Sequence, residues 1–364
     1  MKVLAIVPSV YDTSPGQRFR IEQWEPILRE KGVEITYSPF ETKALRQILY
    51  QTGHTLEKVR AVLQNMNRRR REVSSQSLRD YDLVYVFREA AIFGPAWFEK
   101  RIAGRGLPMI FDFDDAVFVA YKSPSNGYLS YLKFPQKTAT ICRVSSHVMA
   151  GNQYLADYAK QFNENVTIVP TTIDTEKYRV VEKDGSDDAV TIGWSGSFST
   201  VQHLDTIREV LRDLAGEERF RLRVIGTPNY QLPGVETEAV EWRSETEIED
   251  LRRIDIGLMP LPDDQWSKGK CGLKALQYMA LGIPTVCSPV GVNSTIIRDG
   301  ENGFLADGKD EWIEKLKKLI HSVELRKKLG LEGRKTVEET YSARVQAPRV
   351  FEIFKSVIKE KVKI

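Results

Sequence analysis

The amino-acid sequence predicts an α/β protein built from two Rossmann-like domains. Three observations carry that expectation. Short, apolar, β-branched runs alternate with helical stretches along residues 1–178, and the same alternation resumes after a polar stretch at 180–188, VVEKDGSDD. A chain of 364 residues has room for two hydrophobic cores. Residues 268–293, KGKCGLKALQYMALGIPTVCSPVGVN, read as a strand end, a glycine turn, a helix, a proline-broken turn, a buried strand and a second glycine turn. The expected domains are 1–178 and 179–343, followed by a helix over 344–364.

At the amino end, residues 2–7 form a strand, and the loop 8–17 (PSVYDTSPGQ) leads to a helix around 20–31. That loop lacks G-x-G-x-x-G, so no dinucleotide site is inferred. The start reads as a buried strand, not a signal peptide. Residues 33–37 are a second strand. Residues 43–73 are mostly helical, with an apolar stripe of Leu45, Ile48, Leu49, Leu56, Val59, Leu63 and Met66 ending in Arg68–Arg71. Such a helix is either packed with a solvated basic end or rests on an anionic membrane surface. Strands at 82–87 and 109–113 end in Arg88-Glu89 and in Asp112-Phe113-Asp114-Asp115. Arg88 thereby points into the crevice where such sheets bind ligands. The aromatic-rich stretch 121–134 lines a pocket that stacks on rings or forms a local hydrophobic cluster.

In the second half, strands are expected at 190–194, 221–226, 240–242, 255–261 and 283–287, with a helix over 201–214. Ser244 with Glu247 three residues on reads as a capping box. The helix of 268–293 spans 272–281, with Gly282 as its left-handed stop. Lys270, Lys274, Gln277 and Leu281 share one face of it. Two lysines at a helix N-terminus oppose the helix dipole unless an anion lies between them and the free backbone N–H groups. The anion proposed is the diphosphate of a nucleotide.

Residues 268–293 resemble the donor-binding signature of GT-B glycosyltransferases, specifically the large retaining family 4. Cys271-Gly272-Leu273, Met279-Ala280-Leu281-Gly282-Ile283-Pro284 and Val290-Gly291-Val292-Asn293 carry the likeness. Residues 166–178 (VTIVPTTIDTEKY) resemble that family's domain-crossing segment through Pro170, Asp174 and Tyr178. Both family glutamates are replaced, by Gly269 and Gln277. The resemblance implies two domains facing each other across a cleft, a last helix crossing back to the first domain, and transfer of a hexose-type sugar with retention. Leaving-group charge is then met by cations and N–H groups, and no metal or other cofactor is expected. The partners implied are a nucleotide-diphosphate sugar (UDP favoured slightly over GDP) and a glycan or lipid-linked acceptor.

Residue by residue, the resemblance assigns Gly16, Arg18 and Arg20 to the acceptor side, where two surface arginines are the plain alternative. Asp114 takes the position of a family histidine and Asp115 that of its partner, for acceptor orientation or proton handling. A salt-bridged acidic turn is the alternative for both. Most relatives place an Arg and a Lys where Ser197 and Gln202 stand. Because a buried diphosphate needs compensating charge, the cationic role is assigned to Lys270 and Lys274, with Gly196, Ser197 and Thr200 touching phosphate oxygens. Trp242 and Arg243 are candidates for the base, and Gln277 for ribose or sugar hydroxyls. Gly291, Val292 and Asn293 offer backbone groups to the donor, Asn293 being equally credible as a turn former. Two other readings stand beside this one: a non-catalytic sugar-nucleotide-binding or scaffold protein, and a metal-dependent GT-A enzyme using Asp112 and Asp114.

Composition narrows the surroundings. A 41% hydrophobic and 28% charged chain is ordinary for a soluble globular protein. No apolar run approaches the roughly twenty residues that cross a bilayer. Three cysteines without metal spacing favour a reducing cytoplasm. Residues 1–180 hold 25 Lys+Arg against 19 Asp+Glu, and the remainder 28 against 31, so the first half faces something anionic. No nucleic-acid-reading module is visible, and the expected location is the cytoplasm or the inner face of its membrane.

Overall fold

The computed structural model describes residues 1–49, 55–120, 134–181, 189–197 and 199–362. The aromatic-rich stretch 121–133, most of the linker at 182–188 and the helix break at 50–54 lie outside them, as does Phe198. The chain forms two compact units, Met1–Thr171 with Gln346–Ile364, and Thr172–Val345. Residues 172–178, grouped with the first domain on sequence grounds, pack in the second unit. There Ile173 bridges to Ser342 and the Tyr178 hydroxyl donates to Glu247.

The first unit is a six-stranded parallel sheet. Its strands are β1 (Lys2–Val7), β2 (Glu34–Pro39), β3 (Leu83–Phe87), β4 (Met109–Phe113), β5 (His147–Ala150) and β6 (Val166–Ile168). Their spatial order is β2-β1-β3-β4-β5-β6. Continuous burial of β3 and β4 explains why both read as unbroken apolar runs. The chain winds from β1 to β2 on one side and returns to place β3 on the other. Loops after β1 and β3 therefore diverge and leave a crevice at the carboxyl edge. The last helix, Ala343–Val362, sets Phe354 with its ring 6.2 Å from that of Tyr85.

The second unit repeats the plan with β7 (Val190–Ser195), β8 (Phe220–Ile225), β9 (Thr237–Val240), β10 (Ile256–Met259), β11 (Thr285–Cys287) and β12 (Phe304–Leu305). Their order is β12-β11-β10-β7-β8-β9, again parallel throughout. Here the winding direction reverses between β7 and β10. The helix Leu273–Ala280 starts from Gly272 at φ +73° and is stopped by Gly282 at φ +71°, as its sequence requires.

Three expectations change. Arg20, for which an acceptor-side place and a plain surface position were the alternatives, is fully buried. The expected helix over 20–31 is preceded by a widened π-type turn, Arg18–Glu22, in which Arg20 leaves helical geometry (φ −129°, ψ −112°). Its guanidinium meets Asp112 through Nε at 2.6 Å and Nη2 at 2.5 Å, and donates from Nη1 to the Val169 carbonyl at 2.7 Å. Tyr85 donates its hydroxyl to the same carboxylate. Burial opposes charge on both partners, yet Asp112 holds the Arg20 pKa above its ordinary value. Second, the apolar stripe divides: Leu45 is buried, but Leu56, Val59 and Leu63 are 86%, 52% and 58% exposed on the helix Thr55–Ser74. That helix docks through its other end, where buried Arg69 donates to Ser38 and to the Ala90 carbonyl. Third, no capping box forms at Ser244. The helix begins at Glu247 behind Thr246, because the Glu247 carboxylate is engaged by Trp242 and Tyr178.

Removing one partner of a buried ion pair leaves an uncompensated charge, at a cost of about 3–5 kcal/mol. Asp112→Ala is therefore expected to lower the unfolding free energy of the first unit by that amount in urea denaturation, while Arg18→Ala, with its partner Asp12 exposed, changes it little.

Candidate functional site

In the second unit the loops leaving β7, β8, β10 and β11 meet at the carboxyl edge, at the reversal between β7 and β10. Gly196 follows β7 directly. A Cβ there would lie 2.2 Å from the Trp194 ring, and one on Gly226, after β8, would lie 1.8 Å from the Gly196 carbonyl oxygen. Gly226 itself sits at φ +98°, open only to glycine without strain. These two loops touch backbone to backbone. Beyond Gly196, Ser197 donates its N–H to Thr200 Oγ1 at 3.1 Å, and the Ser197 and Ser199 hydroxyls are 2.7 Å apart. The expected helix over 201–214 is split into Val201–Asp205 and Arg208–Glu217.

The lysines come from the segment after β10, Lys270 from its loop and Lys274 from the first turn of the helix Leu273–Ala280. Lys270 Nζ lies 4.6 Å from the centre of the Trp266 ring, and Lys274 Nζ lies 5.4 Å from that of Trp194. The second contact brings the β10 loop over the end of β7. The N-cap of the helix Leu273–Ala280 is Gly272, which has no side chain to offer the first N–H groups. Gly291, at φ +57°, closes the edge: a Cβ there would stand 3.0 Å from the Lys268 backbone. The helix is seated by Tyr278, fully buried, whose ring covers Gly257 and whose hydroxyl oxygen accepts the Ser195 N–H at 2.8 Å. Gly196, Ser197, Thr200, Lys270, Lys274 and Gly291 thus share one edge, with Val292 half-buried beside Gly272.

Other expected donor contacts are engaged within the unit. Gln277 is 4% exposed and donates from Nε2 to the Tyr178 hydroxyl at 3.1 Å and to Glu247 at 3.2 Å, so its amide nitrogen is engaged within the unit. Trp242 is half-buried, with Nε1 donating to Glu247 at 3.0 Å, so its N–H is engaged within the unit. Arg243 is exposed and paired with Glu241. Asn293 is fully buried, its Nδ2 on the Ser288 carbonyl and its N–H on that of Val290, so it serves as the turn former.

In the first unit a charged cluster occupies the corresponding edge. Arg88 follows β3 in the left-handed region at φ +58°. Its Nε donates to Asp114 at 2.7 Å, and its Nη2 lies 3.7 Å from Asp115. A Cβ on Gly16 would come within 2.7 Å of Arg88 and 2.9 Å of Asp114. The structure therefore brings Gly16, Arg88, Asp114 and Asp115 together. Arg18 pairs with Asp12 at 2.8 Å, and Arg20 belongs to the core. Asp112 is committed to Arg20 and Tyr85 with no exposed surface, which removes it from an Asp-x-Asp metal site. Among the described residues no group of three or more His, Cys, Asp or Glu side chains is arranged to hold a metal.

Sequence reasoning did not single out Glu22. It is 6% exposed and accepts from Gln17 Nε2 at 2.5 Å and from the Asp12 N–H at 2.9 Å. Nothing in a helical stretch marks one glutamate as the buried one. A separate cavity of about 500 Å³ in the second unit, between residues 205–210 and the loops at 261–263, 288–290 and 306–309, contains none of the predicted donor residues. No helix among the described residues is long and apolar enough to cross a membrane.

Two parallel sheets of this topology define a GT-B-type protein, and comparison with solved structures agrees. Sucrose-phosphate synthase of Thermosynechococcus elongatus superposes with a TM-score of 0.72 at 12% identity, over 99% of this chain and 100% of that one. HepE of Anabaena in complex with UDP and glucose superposes with a TM-score of 0.65 at 14% identity, over 98% of this chain and 100% of that one. Residues 189–322 match the family model described as Glycosyl transferases group 1, and the fold of the chain is that of these GT-B structures. A D-inositol 3-phosphate glycosyltransferase of Stackebrandtia nassauensis is 27% identical over 212 residues, covering 49% of this chain and 46% of that protein. The chain thus spans less than half the length of that curated relative.

Burial pushes the Glu22 carboxyl from 4.5 up to about 6, against the opposing pull of Gln17 and the Asp12 N–H. A folded-state pKa above the unfolded one favours the protonated form, so the folded protein loses stability as pH rises through this window. Between pH 4.5 and 7 the wild type is expected to lose up to about 2 kcal/mol relative to Glu22→Gln, read from urea midpoints of both proteins at each pH.

Proposed function

We propose that this protein is a glycosyltransferase that moves a sugar from a nucleotide-diphosphate sugar to a glycan or lipid-linked acceptor, with retention and without a metal. The observation that carries this reading is the meeting of Lys270, Lys274 and the Gly196 loop beside a helix N-terminus whose cap residue is glycine, at the point where the second sheet reverses its winding. Ammonium groups and backbone N–H groups there stabilise the diphosphate as it leaves, doing what a bound cation does elsewhere. Both lysines lie against tryptophan faces, which limits the freedom they lose on meeting an anion. Ser197 and Thr200 supply hydroxyls, and the β9 loop that carries Trp242 receives the base. UDP is the favoured nucleotide, a choice supported by the UDP bound to the similarly folded Anabaena protein. On the acceptor side, Arg88, Asp114 and Asp115 orient a hydroxyl and take its proton.

The acceptor's surroundings follow from the helix Thr55–Ser74. At 100° per residue, Leu56, Val59, Leu63, Arg60 and Arg70 fall on one outward face, with Glu57 and Glu72 turned away. Exposed leucines interleaved with arginines, with no carboxylate among them, match an anionic lipid surface. The protein accordingly works at a membrane surface, through this face.

A thermal-shift panel of UDP, GDP, ADP and CMP, each with Mg²⁺ and with EDTA, tests the donor. UDP at a hundred times its dissociation constant adds about 2.7 kcal/mol, and the shift is expected to be equal with and without metal. Lys270→Ala and Lys274→Ala each weaken UDP binding by about ten- to a hundredfold, the size of a lost charge-assisted contact. Unchanged affinity in both overturns the phosphate assignment, and a shift seen only with Mg²⁺ overturns the metal-independent reading.

Sedimentation with vesicles rich in phosphatidylglycerol tests the surface. Wild type is expected to bind at low salt and release at high salt, and Leu56→Ser/Leu63→Ser to stay in solution. Equal sedimentation of the two, or none by wild type, ends the membrane reading.

A further inference from the structure

The resemblance noted above implies a glutamate at position 277, and the chain has glutamine. Its surroundings give the reason. Glu247 is 4% exposed and accepts three hydrogen bonds: from the Tyr178 hydroxyl at 2.9 Å, from Trp242 Nε1 at 3.0 Å and from Gln277 Nε2 at 3.2 Å. Gln277 Nε2 is also 3.1 Å from the Tyr178 oxygen. A glutamate at 277 would bring a second buried carboxylate to about 3 Å from Glu247, and two such groups cannot both ionise. Glu247 is the first residue of its helix, where negative charge meets the positive end of the dipole. The buried carboxylate of this region therefore resides on the 247 side of the hydrogen bond, and Gln277 is its donor.

We infer that Glu247 is the positioning carboxylate of the proposed nucleotide site. Its three donors belong to the entering segment, to the loop after β9 and to the helix that carries Lys274. One carboxylate thus fixes the plane of Trp242 and the seating of that helix together. A neutral group cannot replace it without loss, because hydrogen bonds to a charge are worth roughly twice those between neutral groups.

This inference rests on the nucleotide-site reading, and its test separates the two. UDP affinity and tryptophan fluorescence are measured from pH 5 to 8 for wild type, Glu247→Gln, Gln277→Glu and the double exchange. Glu247→Gln is expected to weaken UDP by about tenfold or more and to change the fluorescence of Trp242, with far-UV circular dichroism unchanged. Gln277→Glu, with two carboxylates facing each other, binds UDP well only toward low pH, where one is protonated. The double exchange returns the charge to the other side of the same bond and recovers most of the affinity. A merely structural role predicts neither the pH dependence nor the recovery. Folded single variants with wild-type affinity across the pH range overturn the inference alone, as does a folded double variant that recovers nothing. Absence of UDP binding by wild type overturns the nucleotide reading and the inference with it.

Discussion

The carboxyl edge of the second unit hangs on Tyr278. Its ring fills the space left by the missing side chain of Gly257, and its hydroxyl oxygen takes the last amide of β7, that of Ser195. The helix Leu273–Ala280 is thereby fixed to two neighbouring strands, β10 and β7, which are far apart in sequence. Everything proposed for the diphosphate follows from that seating. Lys274 sits one turn before Tyr278 on the same helix, and Lys270 on the loop that feeds it. A buried phenol with a satisfied oxygen supports this role because its only polar atom is engaged and the rest of the ring is packed.

The two units use one topology for opposite electrostatics. In the second, the reversal point gathers two lysines over tryptophan rings; in the first, the equivalent point gathers Arg88 with the two carboxylates of Asp114 and Asp115. Arg88, Asp114 and Asp115 follow directly from strand ends, where the backbone leaves the ladder and side chains are free of sheet packing.

Strands and glycine stops were legible because they depend on local chemistry. The run Met109–Phe113 and the Gly282 stop each follow from a handful of neighbours. What was not legible depends on which long side chain turns inward. Arg18 and Arg20 look alike in the sequence, yet only Arg20 meets a carboxylate ninety-two residues away, and a widened turn carries it there. Glu247 fitted a capping box by spacing, but tertiary donors outbid the helix amide. Leu56, Val59 and Leu63 had the period of a core stripe, and periodicity cannot tell which side of a helix its own domain covers. Among the candidate site residues, those next to glycines or at strand ends came together in space. Gln277 and Arg20, mapped by alignment of position alone, did not face solvent at all.

The backbone contact between Gly226 and Gly196 has an evolutionary consequence. A single added methyl group at 226 would occupy the place of the Gly196 carbonyl oxygen. The loop after β8 therefore cannot acquire a side chain at that point unless the loop after β7 changes its path, and a changed path there moves Ser197 and Thr200. Two loops separated by thirty residues are thus bound to drift together or not at all.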